Sequence, residues 1–273
     1  MPFVAKDINW RKLPQEIRED FLRSLRHHAS GDAKEKLSPV ELAKACGLIP
    51  DEWQREVLSS DARQIILLCS RQSGKSTVSA LLALHQALYT PNSIALIVAP
   101  ALRQSQETFR KVRDFLNELK IDEPMAESAL RLEFHNKSRV ICIPGNEKVR
   151  GFSGVNLLVA DEAAQVPDDV YQALRPTMAV SQGRIILLST PAGQRGFFHS
   201  EWTTGGDDWL RFLVPATECP RIDKTWLAAE TERVGSWWAD QEYGCIFTDA
   251  STQIFSTEDI LNMLSDEVEP LWQ

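Results

Sequence analysis

Ile65-Ile66-Leu67-Leu68-Cys69-Ser70-Arg71-Gln72-Ser73-Gly74-Lys75-Ser76-Thr77 decides the fold. A short apolar run ends in small and polar residues. Val78, Leu81, Leu82 and Leu88 then recur with helical spacing. Strand, tight loop and helix in that order make a phosphate-binding loop: its amides point inward and the helix N-terminus adds partial positive charge. Ser70 to Thr77 would line the nucleotide, with Lys75 on the β- and γ-phosphates and the Ser76 hydroxyl on Mg²⁺. Cys69 stands where such loops usually begin with glycine, while Gly74-Lys75-Ser76 is intact.

A second apolar strand, Val155 to Ala160, delivers adjacent carboxylates, Asp161 and Glu162. The first suits a Mg²⁺ shell, the second the orientation and deprotonation of an attacking water. A third, Arg184 to Leu188, ends in Ser189-Thr190-Pro191, whose hydroxyls can sense a γ-phosphate. Strands alternating with helices, ligand groups at their C-terminal ends, predict an α/β domain with a mainly parallel, helix-covered sheet.

Outside this core, Leu13, Ile17, Phe21 and Leu25 mark one helix, and Ser38-Pro39-Val40-Glu41 opens another with a capping box. Asp51 is a candidate N-cap for a helix carrying Trp53 and Gln54: a glutamine amide can read an adenine edge, and an aromatic can shield the base. Residues 130–134 and 139–143 read as a β-hairpin. Arg150 lies in the loop that follows, and Trp209 to Val214 is a last strand. Helical pattern resumes from Asp223. The organisation is a helical segment (1–50), an ATPase core (51–215), a lid (216–248) and a connector (249–273). Arg103, Arg110, Lys111, Arg113 and Arg195 form a solvated face or contact DNA.

The 273 residues suit one large domain, or one domain with a small attachment; no apolar run approaches a membrane span, and the start of the chain lacks a signal-peptide core. Five scattered cysteines suggest reduced thiols and no metal knuckle. A net charge of −8 argues softly against nucleic acid, which a local basic face would offset.

From about residue 50 to 257 the chain resembles the ATPase domain of tailed-bacteriophage terminase large subunits. The resemblance is carried by Trp53-Gln54, the loop with Arg71 inside it, Ala99-Pro100 with Arg103, Arg150-Gly151, Leu158 to Ala163, Ser189-Thr190-Pro191 and Gln241-Glu242-Tyr243. It implies a RecA-like P-loop NTPase of the additional-strand, catalytic-glutamate type, and a motor that hydrolyses ATP with Mg²⁺ to drive double-stranded DNA into procapsids. Gln54 would read adenine, Arg71 act within its own subunit, Arg150 reach a neighbour's ATP, and Ser189 and Thr190 couple hydrolysis to movement. It also implies a ring, usually of five, on the portal protein, a small terminase subunit as partner, and the cytoplasm of an infected bacterium as setting. Because the sequence stops at Gln273 before a nuclease's acidic cluster, no DNA cleavage is expected of it. A helicase-type translocase and a nucleotide-dependent assembly switch are the competing readings.

Overall fold

Near-continuous apolar strands dictate a sheet buried on both faces. The computed structural model describes residues 36–120, 126–145, 151–248 and Met263. It holds one sheet of eight strands: β1 (Gln64–Cys69), β2 (Ile94–Ala99), β3 (Ala126–Ser128), β4 (Arg131–Glu133), β5 (Arg139–Pro144), β6 (Leu157–Asp161), β7 (Arg184–Ser189) and β8 (Trp209–Val214). Their order is β3-β4-β5-β2-β6-β7-β1-β8. The run from β5 to β8 is parallel, and β3 and β4 join it antiparallel. The expected hairpin is therefore β4 and β5, extended by the exposed strand β3.

Alternate residues of β1 feed two separate cores. Ile65, Leu67 and Cys69 pack with α1 (Pro39–Ala45), α2 (Glu52–Ser59), α3 (Lys75–Tyr89) and α4 (Leu102–Leu119). Ile66 and Leu68 pack with α5 (Asp168–Leu174) and α6 (Gly196–Thr203). The chain then adds α7 (Lys224–Val234) and α8 (Ser236–Glu242). Helix α1 opens with the expected capping box, Ser38 N–H donating to Glu41 at 2.8 Å and Glu41 N–H to the Ser38 hydroxyl at 3.3 Å. Asp223 caps α7 by accepting from Trp226 N–H at 2.7 Å. The apolar stripe from Leu13 to Leu25 and the tail beyond Thr248, Met263 apart, lie outside the described residues. Among the described residues no helix is long and apolar enough to cross a membrane.

The sheet order positions the site. Strand β7 lies between β1 and β6, in register Leu68 to Ser189 and Leu188 to Asp161. The C-terminal ends of all three strands therefore sit level, although they come from distant parts of the chain.

One buried group makes stability pH-dependent. His85 on α3 is half-buried with its Nε2 2.8 Å from the Leu37 carbonyl, and burial pushes its pKa down to about 4. The unfolded chain protonates this imidazole near pH 6.5 while the folded chain resists. Stability is thus full above 6.5 and falls as pH drops towards 4, by about 3 kcal/mol at full effect. An NMR titration should show His85 still neutral at pH 5; a midpoint above 6 would refute this.

Candidate active site

The phosphate loop begins at Ser70, whose N–H donates to the Val214 carbonyl at 2.9 Å. Left-handed backbone falls at Gln72 (φ 59°) and Gly74 (φ 90°), and Cys69 is not among the positive-φ residues. Position 69 is strand, so it needs no glycine. Its thiol is fully buried and raised far above the usual range by desolvation, which makes it packing and not a nucleophile. Gly74 is favoured by its φ of 90°, strained for any side chain; a Cβ there would also meet the ends of the Gln54 and Arg221 side chains, Gln54 Nε2 at 2.8 Å, which would have to swing aside.

Helix α3 opens with Lys75 and Ser76 directed at the end of β6. Lys75 Nζ lies 3.2 Å from Glu162 Oε1. The Ser76 hydroxyl donates to Asp161 Oδ1 at 3.2 Å, and Thr108 of α4 donates to Oδ2 at 2.8 Å. Ser189 donates weakly to Glu162 at 3.5 Å while accepting from Ala164 N–H at 3.2 Å. Glu162 takes left-handed backbone (φ 51°, ψ 46°), a sparsely populated conformation for a non-glycine residue that turns its side chain out of the strand. Burial, then the charge of Glu162, raises the Asp161 pKa; the two hydroxyls and Lys75 pull the other way.

Ser76, Thr108, Asp161 and Glu162 border a cavity of about 250 Å³ that Arg103 and Lys111 also line. Burial lowers the Lys111 pKa and Asp161 opposes the shift. Lys111 thus faces the carboxylates instead of forming only a solvated or DNA-facing surface, whereas Arg110 and Arg113 pair with Glu107 (2.5 Å) and Glu127 (3.0 Å). The donor set fits Mg²⁺: hard oxygens on Ser76 and a buried carboxylate carrying excess negative charge. Among the described residues no group of three or more His, Cys, Asp or Glu could hold a metal ion.

A second cavity of about 250 Å³ lies beside Gly74 and Thr77, walled by Leu48, Pro50 and Leu81, with Gln54 and Arg221 as its polar edge. Gln54 is buried and its Oε1 accepts from Asp51 N–H at 3.0 Å, capping α2. Trp53 packs instead against the core of its sheet face.

Arg71 lies at the loop's outer side, where its guanidinium pairs with Glu242 and its N–H donates to the Glu242 carbonyl at 3.0 Å. Gln72 is exposed; Ser70, Ser73, Ser189 and Thr190 are buried. Arg150 lies outside the described residues. The structure thus brings together Lys75, Ser76, Asp161, Glu162 and Ser189 at one centre and Gln54 and Thr77 at another. Sequence reasoning missed Thr108 and Arg221, which carry no local signature.

Residues 66–262 match the family model described as terminase large subunit, T4likevirus-type, N-terminal. The terminase large subunit of Thermus phage G20c is 27% identical over 262 residues, covering 81% of this chain and 53% of that protein. The chain therefore spans about half the length of the curated relatives it matches. The Thermus phage P74-26 large terminase ATPase domain superposes with a TM-score of 0.66 at 21% identity, over 78% of this chain and 100% of that one. The large terminase of a thermophilic bacteriophage, solved with ATP-gamma-S, gives 0.59 at 14% identity, over 76% and 52%. The two solved structures show that the chain shares the fold of these large terminases.

Proposed function

Because the chain belongs to the terminase large-subunit family, T4-like N-terminal type, we propose that it is an ATP-hydrolysing motor domain that drives double-stranded DNA into procapsids. The observation that carries this reading is the meeting of Lys75 with Glu162 at 3.2 Å, beside a buried Asp161 that holds Ser76. A loop lysine, a metal-suited oxygen pair and a second carboxylate at one point are what phosphoryl transfer to water requires.

In this reading Lys75 and the loop amides bind the β- and γ-phosphates. Ser76 and Asp161 would hold Mg²⁺, which would supply charge neutralisation at those phosphates, and Thr108 keeps Asp161 oriented. Glu162 orients the attacking water and takes its proton. Ser189 touches both the Glu162 carboxylate and the backbone after it, which suits a sensor of the γ-phosphate. Arg71 serves its own subunit; its contact with Glu242 lets occupancy of the loop bear on the C-terminal helices. Arg150 serves a neighbour in a ring on the portal protein, assembled with a small terminase subunit in the cytoplasm of an infected bacterium. Residues 51–215 act as the ATPase core and 216–248 as its lid. Neither the helicase nor the switch reading gains a specific observation.

The test is phosphate release from ATP by the purified chain with and without Mg²⁺, and with portal-bearing procapsids and duplex DNA. Turnover that needs Mg²⁺ and rises with procapsids is expected. Mg²⁺-dependent binding without turnover in any arm would return the switch reading, and strand separation on a forked duplex the helicase.

A further inference from the structure

Arg221 stands between β8 and α7, 148 residues from Ser73 in sequence, yet its guanidinium donates to the Ser73 carbonyl beneath the phosphate loop. The same Nη2 lies 2.9 Å from Asp51 Oδ2. It would also lie 2.9 Å from a Cβ at Gly74, beside Gln54 Nε2. Arg221 and Gln54 therefore converge at the loop's glycine from opposite ends of the chain.

The two cavities divide the loop's surroundings by chemistry. One holds Ser76, Asp161 and Glu162. The other holds Gly74, Thr77 and aliphatic side chains, with Gln54 and Arg221 as its polar groups. A polyphosphate belongs to the first. The second, apolar with two convergent donors, suits a flat heterocycle whose ring nitrogens accept hydrogen bonds. Trp53, the aromatic that could have covered such a ring, is half-buried against the core and does not line this cavity. The Arg221 side chain is 46% exposed, and only Nη2 is spent on Ser73 and Asp51, so a planar face and further N–H groups remain for a ligand.

We propose that Arg221 is a nucleotide-contacting residue whose guanidinium lies against the purine base of ATP held in the loop, with Asp51 as its positioning residue. This rests on the ATPase reading and adds to it a base contact supplied from beyond β8. Occupancy of the base cavity then ties the phosphate loop to the segment leading into α7.

Calorimetry with two probes, the β,γ-imido analogue of ATP and inorganic tripolyphosphate, both with Mg²⁺, tests it. Arg221→Ala should weaken the ATP analogue about tenfold and tripolyphosphate less than twofold. Arg221→Lys keeps a positive charge opposite Asp51 but lacks the plane, and should weaken the analogue about fivefold with tripolyphosphate unchanged. Thermal melts identify any variant that fails to fold, and the lysine variant then decides. Equal losses for both probes would make Arg221 a prop for the loop and overturn the proposal, as would unchanged binding of the analogue. If the unsubstituted chain bound neither probe, the ATPase reading itself would fall. Wild-type binding with an indifferent Arg221 removes the present inference alone.

Discussion

Glu162→Gln should lower ATP turnover by about 10²–10⁴-fold while leaving nucleotide affinity within about threefold. The amide has the same length and can still meet Ser189 and Lys75, so the site's shape survives. What disappears is the ability to accept a proton from water. The 26% exposure of the Glu162 side chain leaves room for that water. Steady-state phosphate release beside equilibrium binding of the ATP analogue checks the split. Turnover near the wild-type level would mean that another base serves, and Asp161, buried and occupied by two hydroxyls, is poorly placed for that role.

Lys75→Ala should weaken ATP binding by about 10²-fold, since charge-assisted hydrogen bonds to phosphate contribute about 1.5–3 kcal/mol each. It should also destabilise the free protein. The Lys75 side chain is only 7% exposed and answers both carboxylates, and its loss leaves Asp161 and Glu162 repelling each other with Lys111 in the neighbouring cavity left to offset them. A melting temperature lower by several degrees is expected, scaling at about 2–4 °C per kcal/mol for a chain of this size. Together the two variants separate roles: one binds without turning over, the other fails to bind. Binding of the ATP analogue by Lys75→Ala at wild-type affinity would remove the phosphates from this loop.

Much of the site was legible because its parts are local patterns. An apolar strand running into Ser70–Ser76 and another ending in Asp161-Glu162 each announce themselves within a dozen residues. A parallel sheet then brings such ends to one edge. The contacts that complete the site are not local. Thr108 meets Asp161 across 53 residues, and only the packing of α4 on the sheet places it there. Arg221 needs the path of β8, and an isolated arginine before a proposed helix has no distinguishing mark. Gln54 reads from the sequence as a candidate base reader, whereas its engagement as a helix cap depends on the turn at Asp51. Short elements also escaped. β3 is three exposed residues held by pairing with β4 and by the Glu127–Arg113 ion pair, and α6 opens on Gly196 with no side-chain cap to announce it.

The strand between β1 and β6 sets a fixed gauge. Neighbouring strands stand about 4.7–4.9 Å apart, so the loop strand and the acid strand are held roughly 9–10 Å apart by a continuous ladder. Backbone drift cannot close that gap without tearing hydrogen bonds on both sides of β7. Only side-chain reach spans it, and the long side chains of Lys75 and Glu162 meet at 3.2 Å. Residue size at position 162 is therefore part of the chemistry: an aspartate, one methylene shorter, would carry the same charge and leave the gap open.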